Sequence, residues 1–367
     1  MANKTFAGYR LEDKNEGYFM QEDILELCDA YGVSGRESDV AKLIIEKIRP
    51  HCECKQDNLG NILAFKRGKR QPKKKIMLAA HMDEVGFLVS DILEDGTLKL
   101  AAVGGIDPNI LVGKTLVVCT KEEQLAAVIG MKPVHLQKEA EKHRPVRLDA
   151  LALDIGCRSY EEAKKHVRLG DMVCFERNFE LFGEGLLKSK AQDDRLGCAI
   201  LIKLLRSFDE CDFYAVFSTL EEVGSQGAKV ATAQIEPDVA IVVECTTAAD
   251  FLTVDETTQV CNLAGGPVIS FMDKGTIYDP QMIDLAFEVA AAENIKVQAK
   301  RGVFGGNDSR VIQTTGAGVR SLAVSLPTRY LHSAASVSSF FDIERTVLLL
   351  RAILNTFLDR GERIEKL

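Results

Sequence analysis

Five short segments spread along the chain carry side chains suited to divalent metal: His81-Met82-Asp83, Asp193-Asp194, Glu221-Glu222, Glu244 and His332. Each is weak alone, since acidic residues at a helix start often serve only as caps. Jointly they say more, because the imidazoles and carboxylates follow apolar, strand-like runs, where an open α/β sheet gathers its ligands. Five ligands at strand ends meet the needs of two metals: one bridging carboxylate, two further ligands for each ion, and open positions for water. Ions about 3.5–4 Å apart lower the pKa of a bridging water toward roughly 7 and polarise a carbonyl. Neighbouring side chains diverge, so one of Glu221 and Glu222 can bind metal while the other works as a base. At i and i+2 on a strand, His81 and Asp83 point the same way, and the Asp83 carboxylate is expected to accept the proton on the second ring nitrogen of His81.

These residues need a scaffold. The apolar runs at 75–80, 213–219 and 239–243 read as strands that deliver His81, the glutamate pair and Glu244. Further strands are expected at 60–66, 267–271, 295–299 and 319–326, with helices at 21–31, 195–208, 227–234, 280–292, 308–314 and 341–358. Ser34 and Glu37 have capping-box spacing ahead of a helix that carries Val40, Leu43, Ile44 and Ile48 as far as Pro50. The alternation predicts an α/β fold with a mostly parallel sheet and helices on both faces. From residue 86 the pattern changes to short β runs at 87–92, 97–101, 115–120, 126–131 and 148–155, with a helix at 160–167 and a last strand near 172–175. Residues 1–85 and 178–367 are therefore expected to form one domain and 86–177 an inserted β-rich one. Within the insertion His135 and His143 read as surface residues, and nothing has the look of catalytic chemistry. The basic run at 66–75 reads as a solvated hairpin loop.

Composition narrows the function. A chain of 367 residues suggests about two domains. The net charge of -8 argues against a nucleic-acid partner. No apolar run is long enough to suggest a membrane partner and no secretory pattern opens the chain, so a cytoplasmic protein is expected. On that reading the ten cysteines are reduced thiols, with Cys52 and Cys54 facing the core from one strand.

Taken as a set, several motifs resemble the tetrahedral aminopeptidases, a family of dinuclear zinc exopeptidases that includes glutamyl and deblocking enzymes and relatives labelled endoglucanase. They are His81-Met82-Asp83-Glu84-Val85-Gly86, Val103-Gly104-Gly105-Ile106-Asp107-Pro108, Asp154-Ile155-Gly156, Asp193-Asp194-Arg195, the run from Glu221 to Ala228, Gly266-Pro267 and Arg329-Tyr330-Leu331-His332. The resemblance implies that Asp193 bridges two ions, that Glu222 and His332 complete one site, and that His81 and Glu244 complete the other. It implies Glu221 as proton shuttle and Asp83 as the residue orienting His81. Zinc is the implied metal, with cobalt or manganese as alternatives, and peptides are the implied substrates. The inserted region would be a dimerisation domain, and the dimers would build a tetrahedral dodecamer. Two departures stand out: Glu244 occupies a position where the family usually has aspartate, and the family's Gly-Gly-Thr-Asp-Ala segment reads Gly305-Gly306-Asn307-Asp308-Ser309.

Other chemistries compete. A glycoside hydrolase could use paired carboxylates without metal, but the chain has no Trp and 7% aromatic residues, a poor supply of sugar-stacking surface, and His81 and His332 would go unexplained. A deacylase or carboxypeptidase could use the same metals, and a binding protein could keep the fold without the reaction.

Overall fold

The computed structural model describes residues 14–139, 143–251 and 253–359. Helices α1 (Lys14–Asp29) and α2 (Ser38–Ile48) lead into the short strand β1 (Glu53–Gln56), then β2 (Ile62–Lys66) and β3 (Ile76–His81). Strands β4 (Gly86–Ile92), β5 (Leu98–Val103), β6 (Thr115–Cys119), β7 (Gln124–Met131), β8 (Leu151–Asp154) and β9 (Met172–Phe175), with the one-turn helix α3 (Tyr160–Ala163), come next. After β10 (Glu180–Phe182) and β11 (Leu186–Ser189) the chain runs through α4 (Gln192–Ser207), β12 (Phe213–Ser218), α5 (Gln226–Ile235) and β13 (Val239–Thr247). It closes with β14 (Val268–Ile269), α6 (Pro280–Ala292), β15 (Gln298–Ala299), α7 (Ser309–Ile312), β16 (Arg320–Thr328), β17 (Ser336–Ser339) and α8 (Phe340–Asp359).

The main sheet has the order β1-β2-β12-β3-β13-β16-β14-β15. Its centre, β12-β3-β13-β16, is parallel. The flanks are not: β1, β2 and β12 pair antiparallel, and so do β14 and β16. The sheet is therefore mixed, and the parallel layout read from the sequence holds for the middle only. A tight turn joins β1 to β2, and such a connection permits only antiparallel neighbours.

Alternate residues of β3 enter two different cores, as the period-2 rule requires. Leu78 and Ala80 pack with α1, α2, α4, α6 and α8, whereas Met77 and Ala79 pack with α5 and Ile312 of α7. A strand covered on both faces reads as an unbroken apolar run, and all six residues of β3 are buried. Strands β4 to β9 close into a barrel of order β4-β5-β8-β7-β6-β9 around its own core, which includes Phe87, Leu116, Ile129 and Phe175.

Two expectations fail. The basic stretch 66–75 is not a hairpin loop, because β12 lies between β2 and β3. Its Lys69 instead pairs with Glu210 at 2.7 Å, and Gly68 donates its N–H to Asp212. The capping box also fails: α2 begins after Glu37, and Glu37 makes no side-chain cap. Ser34 and Glu37 are spent elsewhere, on the site below. Cys52 and Cys54 do pack against the main core, and all ten cysteines are free. Among the described residues no helix is long and apolar enough to cross a membrane.

Candidate active site

Parallel pairing sets the ends of β12, β3, β13 and β16 side by side. β3 stops at His81, which pairs with Ser218, the last residue of β12. Leu220, with φ of 60°, turns the chain ahead of Glu221 and Glu222. β13 carries Glu244 opposite Ser325 of β16, and the loop from β16 to β17 carries His332. The fifth segment comes from α4, whose torsions are non-helical at Asp193 and Asp194. The Asp194 carboxylate accepts from the N–H groups of Gly197 and His81, both at 3.2 Å, so it caps the helix and ties it to β3. Gly197 has to be glycine, since a Cβ there would lie 2.5 Å from the Asp194 oxygens.

Asp193 lies between the two histidines. His81 Nε2 is 3.3 Å from Asp193 Oδ1 and 3.5 Å from Glu244 Oε1. His332 Nε2 is 3.4 Å from Asp193 Oδ2 and 3.2 Å from Glu222 Oε1. Two donor triads thus share Asp193, and the ligand atoms within each lie within 4.8 Å of one another. Glu221 reaches the same group from the side of His81 and Glu222. The opposite ring nitrogens hold the imidazoles in place: His81 Nδ1 is 3.0 Å from the carbonyl of Asp83, and His332 Nδ1 is 2.8 Å from the carbonyl of Gly105. A carbonyl can only accept, so Nδ1 carries a proton, and release of the second proton would free the Nε2 lone pair for a cation at the triads. Asp193 Oδ1 is buried without a directed hydrogen bond. An orphaned carboxylate oxygen amid two imidazoles and two more carboxylates is a donor set that fits borderline divalent ions such as zinc.

Residues 60–349 match the family described as M42 glutamyl aminopeptidase. The chain belongs to that family. It is 38% identical to a putative aminopeptidase of Acetivibrio thermocellus over 90% of its own length and 98% of the relative's. It is 32% identical to the lysyl aminopeptidase of Pyrococcus furiosus, covering 90% and 95% of the two chains. Its fold superposes on the TET1 peptidase of Pyrococcus horikoshii, described as assembling into a tetrahedron or a large octahedral shell, with TM-score 0.82, 30% identity and coverage of 91% and 98%. This M42 chain is accordingly a hydrolase acting as an aminopeptidase.

Behind the M42 triads the structure departs from the expected role of Asp83. Its main-chain carbonyl, not its carboxylate, takes the hydrogen bond from His81, and the nearer carboxylate oxygen stands 3.5 Å from Nδ1. The carboxylate accepts instead from Ser34 Oγ at 2.7 Å and from the N–H groups of Glu221 and Glu222 at 3.1 Å each. Asp83 therefore shapes the turn that presents both glutamates. Glu37 supports the same turn, accepting from the Leu220 N–H at 3.2 Å. Next along the chain, Glu84 receives both Lys190 Nζ, at 2.8 and 2.9 Å, and the N–H of Gly32. Arg195 donates to the Met82 carbonyl at 2.7 Å.

Sequence reasoning flagged none of Ser34, Glu37, Glu84, Lys190 or Gly105 for the M42 site. Only Glu84 and Gly105, each inside a family motif, carried any signal. The loop after β5 also reaches the site: besides Gly105, Asp107 and Ile110 line the cleft.

Burial and crowding govern the charges. Burial, reinforced by Asp308, Glu222 and Asp83 against the pull of His81, pushes the Glu221 carboxyl up to about 8. Burial likewise drives Glu244 well up, with Asp194 adding to it. Burial alone would lower the histidines, but Asp193 and Glu222 carry His332 up to about 11, and Glu244 with Asp193 raises His81. Asp193 is lowered despite burial by its contacts with His332 and His81. Such mutually shifted groups gathered in one cleft mark a candidate site of chemistry. The M42 cleft above them, of about 610 Å³, is lined by these groups together with Lys300, Phe304 and Asn307.

Proposed function

We propose that this aminopeptidase removes the N-terminal residue of peptides with a pair of divalent ions, zinc by preference and cobalt or manganese as substitutes. One observation carries the reading: the two oxygens of Asp193 face the Nε2 atoms of different histidines, and a further carboxylate stands beside each histidine. Asp193 would be the shared ligand, with Glu222 and His332 on one ion and His81 and Glu244 on the other. Bound there, the ions would acidify water and polarise the scissile carbonyl. Glu221 takes the proton of the attacking water and returns it to the departing amine. Ser225 Oγ lies 3.3 Å from Glu221 Oε1, which leaves Oε2 to carry that proton. Asp83 positions Glu221 through its N–H, and its carbonyl orients His81.

The test pairs metal content with turnover. Elemental analysis of the loaded protein should find two ions per chain, and Glu221→Gln should keep them while turnover falls about 10²–10⁴-fold. A stoichiometry of one ion, or near-normal turnover in that variant, sinks the corresponding assignment.

Residues 1–85 and 178–367 are read as the catalytic domain, and 86–177 as a dimerisation domain whose dimers build a tetrahedral dodecamer. The closed barrel of β4 to β9 and the tetrahedral assembly described for the Pyrococcus horikoshii relative support that reading. The ten free thiols suit a reducing, cytoplasmic compartment. The family is described by glutamate and one relative is named for lysine, so membership leaves the preferred first residue open.

A further inference from the structure

The hydroxyl that holds Glu221 is itself held. Ser225 is fully buried, has φ of 63°, and gives its N–H to the Leu220 carbonyl at 2.8 Å, so its backbone is pinned in the turn that carries Glu221. Its hydroxyl has one proton to give. Glu221 Oε1 stands 3.3 Å from Ser225 Oγ, and Asp308 is a second carboxylate within reach of that hydroxyl. Asp308 takes the Ser218 proton on Oδ2 at 2.5 Å, while its Oδ1 is buried without a hydrogen bond. The directed bond from Ser225 therefore goes to Glu221.

Arg310, in the single turn of α7, meets the same hydroxyl from another side. Its Nε donates to Ser225 Oγ at 3.2 Å. The turn at Gly275 packs over its stem, where a Cβ would lie 2.8 Å from Arg310 Cβ and 3.2 Å from Cδ. Among the described residues the Arg310 side chain makes this hydrogen bond and no ion pair. A guanidinium can only donate, so the Ser225 oxygen accepts on that side and its proton must point away from it. Accepting from a cation also polarises the hydroxyl and strengthens the bond it gives.

We propose that Arg310 is a positioning residue for the proton shuttle: it keeps Ser225 a donor to Glu221 Oε1, which fixes the carboxylate with Oε2 free for water. Without the guanidinium the hydroxyl turns toward the space left behind or toward Asp308 Oδ1, and Glu221 loses its anchor. This rests on the shuttle role of Glu221 given above.

Variants of the full-length, metal-loaded protein are assayed with an aminoacyl amide, after melting curves and elemental analysis establish that each is folded and loaded. Arg310→Met keeps the stem and removes the donor, and kcat should fall about 5–10-fold, the worth of one hydrogen bond, with KM unchanged. Arg310→Gln puts an amide N–H at the same distance along the side chain as Nε. It should retain at least about half of the wild-type kcat, because a donor of either charge state directs the hydroxyl. Ser225→Ala should match Arg310→Met, and the double variant should be no slower than Ser225→Ala, since both act through one hydroxyl. Crystal structures should show Glu221 Oε1 on Ser225 in the wild type and off it in Arg310→Met. Equal losses in Arg310→Gln and Arg310→Met would make charge rather than the donor the cause and overturn the inference. Losses that multiply in the double variant, an unchanged kcat in Arg310→Met, or a Glu221 carboxylate that stays on Ser225 in its crystal structure also overturn it. Near-normal turnover in Glu221→Gln would instead sink the shuttle reading. The two crystal structures then still decide whether Arg310 holds Glu221.

Discussion

At the residue scale the decisive point is that Asp83 serves the site with two different groups. Its carbonyl fixes His81, and its carboxylate collects the N–H groups of Glu221 and Glu222 together with the Ser34 hydroxyl. Asp83→Asn leaves the carbonyl in place but turns an NH₂ toward donors, so one buried N–H loses its acceptor at a cost of about 1–3 kcal/mol. Both ions should stay bound while turnover falls about 10–100-fold, as for other supports behind metal ligands. If elemental analysis finds the His81 ion lost, the carboxylate holds the imidazole after all. Glu244→Asp tests the chain's own departure at that position: it withdraws the carboxylate by one C–C bond, about 1.5 Å. The His81 site should then fill only partly, while the His332 site stays full. The titrating groups make a further prediction for the metal-free protein. Glu221 is moved from 4.5 to about 8 and His332 from 6.5 to about 11, so folding retains protons that the unfolded chain releases. The contribution of Glu221 to stability is lost as pH rises from about 4.5 to 8, and that of His332 as it rises from about 6.5 to 11. Lowered Asp193 acts in the opposite sense, but only at acid pH. Ions must displace the same protons, so metal affinity rises with pH. The chelated protein should melt lower at pH 9 than at pH 6, and metal should raise Tm more at pH 9; the reverse order would refute the charge assignments.

At the element scale, a buried ionic network joins the turn after β3 to α4 and to the end of α1. Lys190 and Arg195 are fully buried and converge on Glu84, and they also donate to the Ala30 carbonyl just beyond α1. Cations there complement the helix C-terminus. Glu84→Gln would leave Lys190 charged, buried and poorly paired, and should destabilise the fold by about 3–5 kcal/mol in urea unfolding. A loss under 1 kcal/mol would show that water or rearrangement supplies the missing partner. The same network marks the limit of what the sequence discloses. Strands β3, β12, β13 and β16 were legible because burial on both faces writes an unbroken apolar run, and His81, Glu221, Glu222 and Glu244 drew notice because they stand in or just after those runs, whereas Asp193 comes from α4. Ser34 and Glu37 were misread as a capping box because local spacing is all a sequence shows. Ser34 donates to Asp83, 49 positions away, and Glu37 accepts from Leu220, 183 positions away, as well as from Gly35 beside it. Lys190 meets Glu84 across 106 positions, and no local pattern announces that pairing. The antiparallel course of β14 escaped for a related reason: strands were read at 267–271 and 295–299, but each pairs over two residues only, and an apolar run does not say which way it will pair.

At the scale of the whole molecule, the barrel and the main sheet meet at the site. The barrel loop gives its Gly105 carbonyl to His332, and Gly104, at φ of 80°, packs so closely that a Cβ there would lie 3.1 Å from Glu222 Oε2 and 2.7 Å from Val85. A partner bound to the barrel would therefore bear on a piece of structure that touches Glu222 directly and His332 through a single carbonyl. The barrel also displays apolar side chains that its own core does not use: Val134 is 66% exposed, Leu136 61% and Val128 49%. Val134 and Leu136 share one short turn after β7, and neighbouring exposed apolar groups mark association surfaces more often than scattered ones do. If dimerisation uses this face, Val134→Asp with Leu136→Asp places two charges in the interface, each desolvated without a partner. Native mass spectrometry and size exclusion should then show the proposed dodecamer replaced by smaller species. Far-UV circular dichroism should be unchanged, since both side chains lie outside the barrel core. Turnover of a small aminoacyl amide should fall less than the assembly does, because every ligand and Glu221 come from one chain. A double variant that still elutes as the full assembly would move the dimer interface off this face of the barrel, and one that disassembles with complete loss of bound metal would show that Gly105 holds His332 only when a neighbouring copy braces the loop.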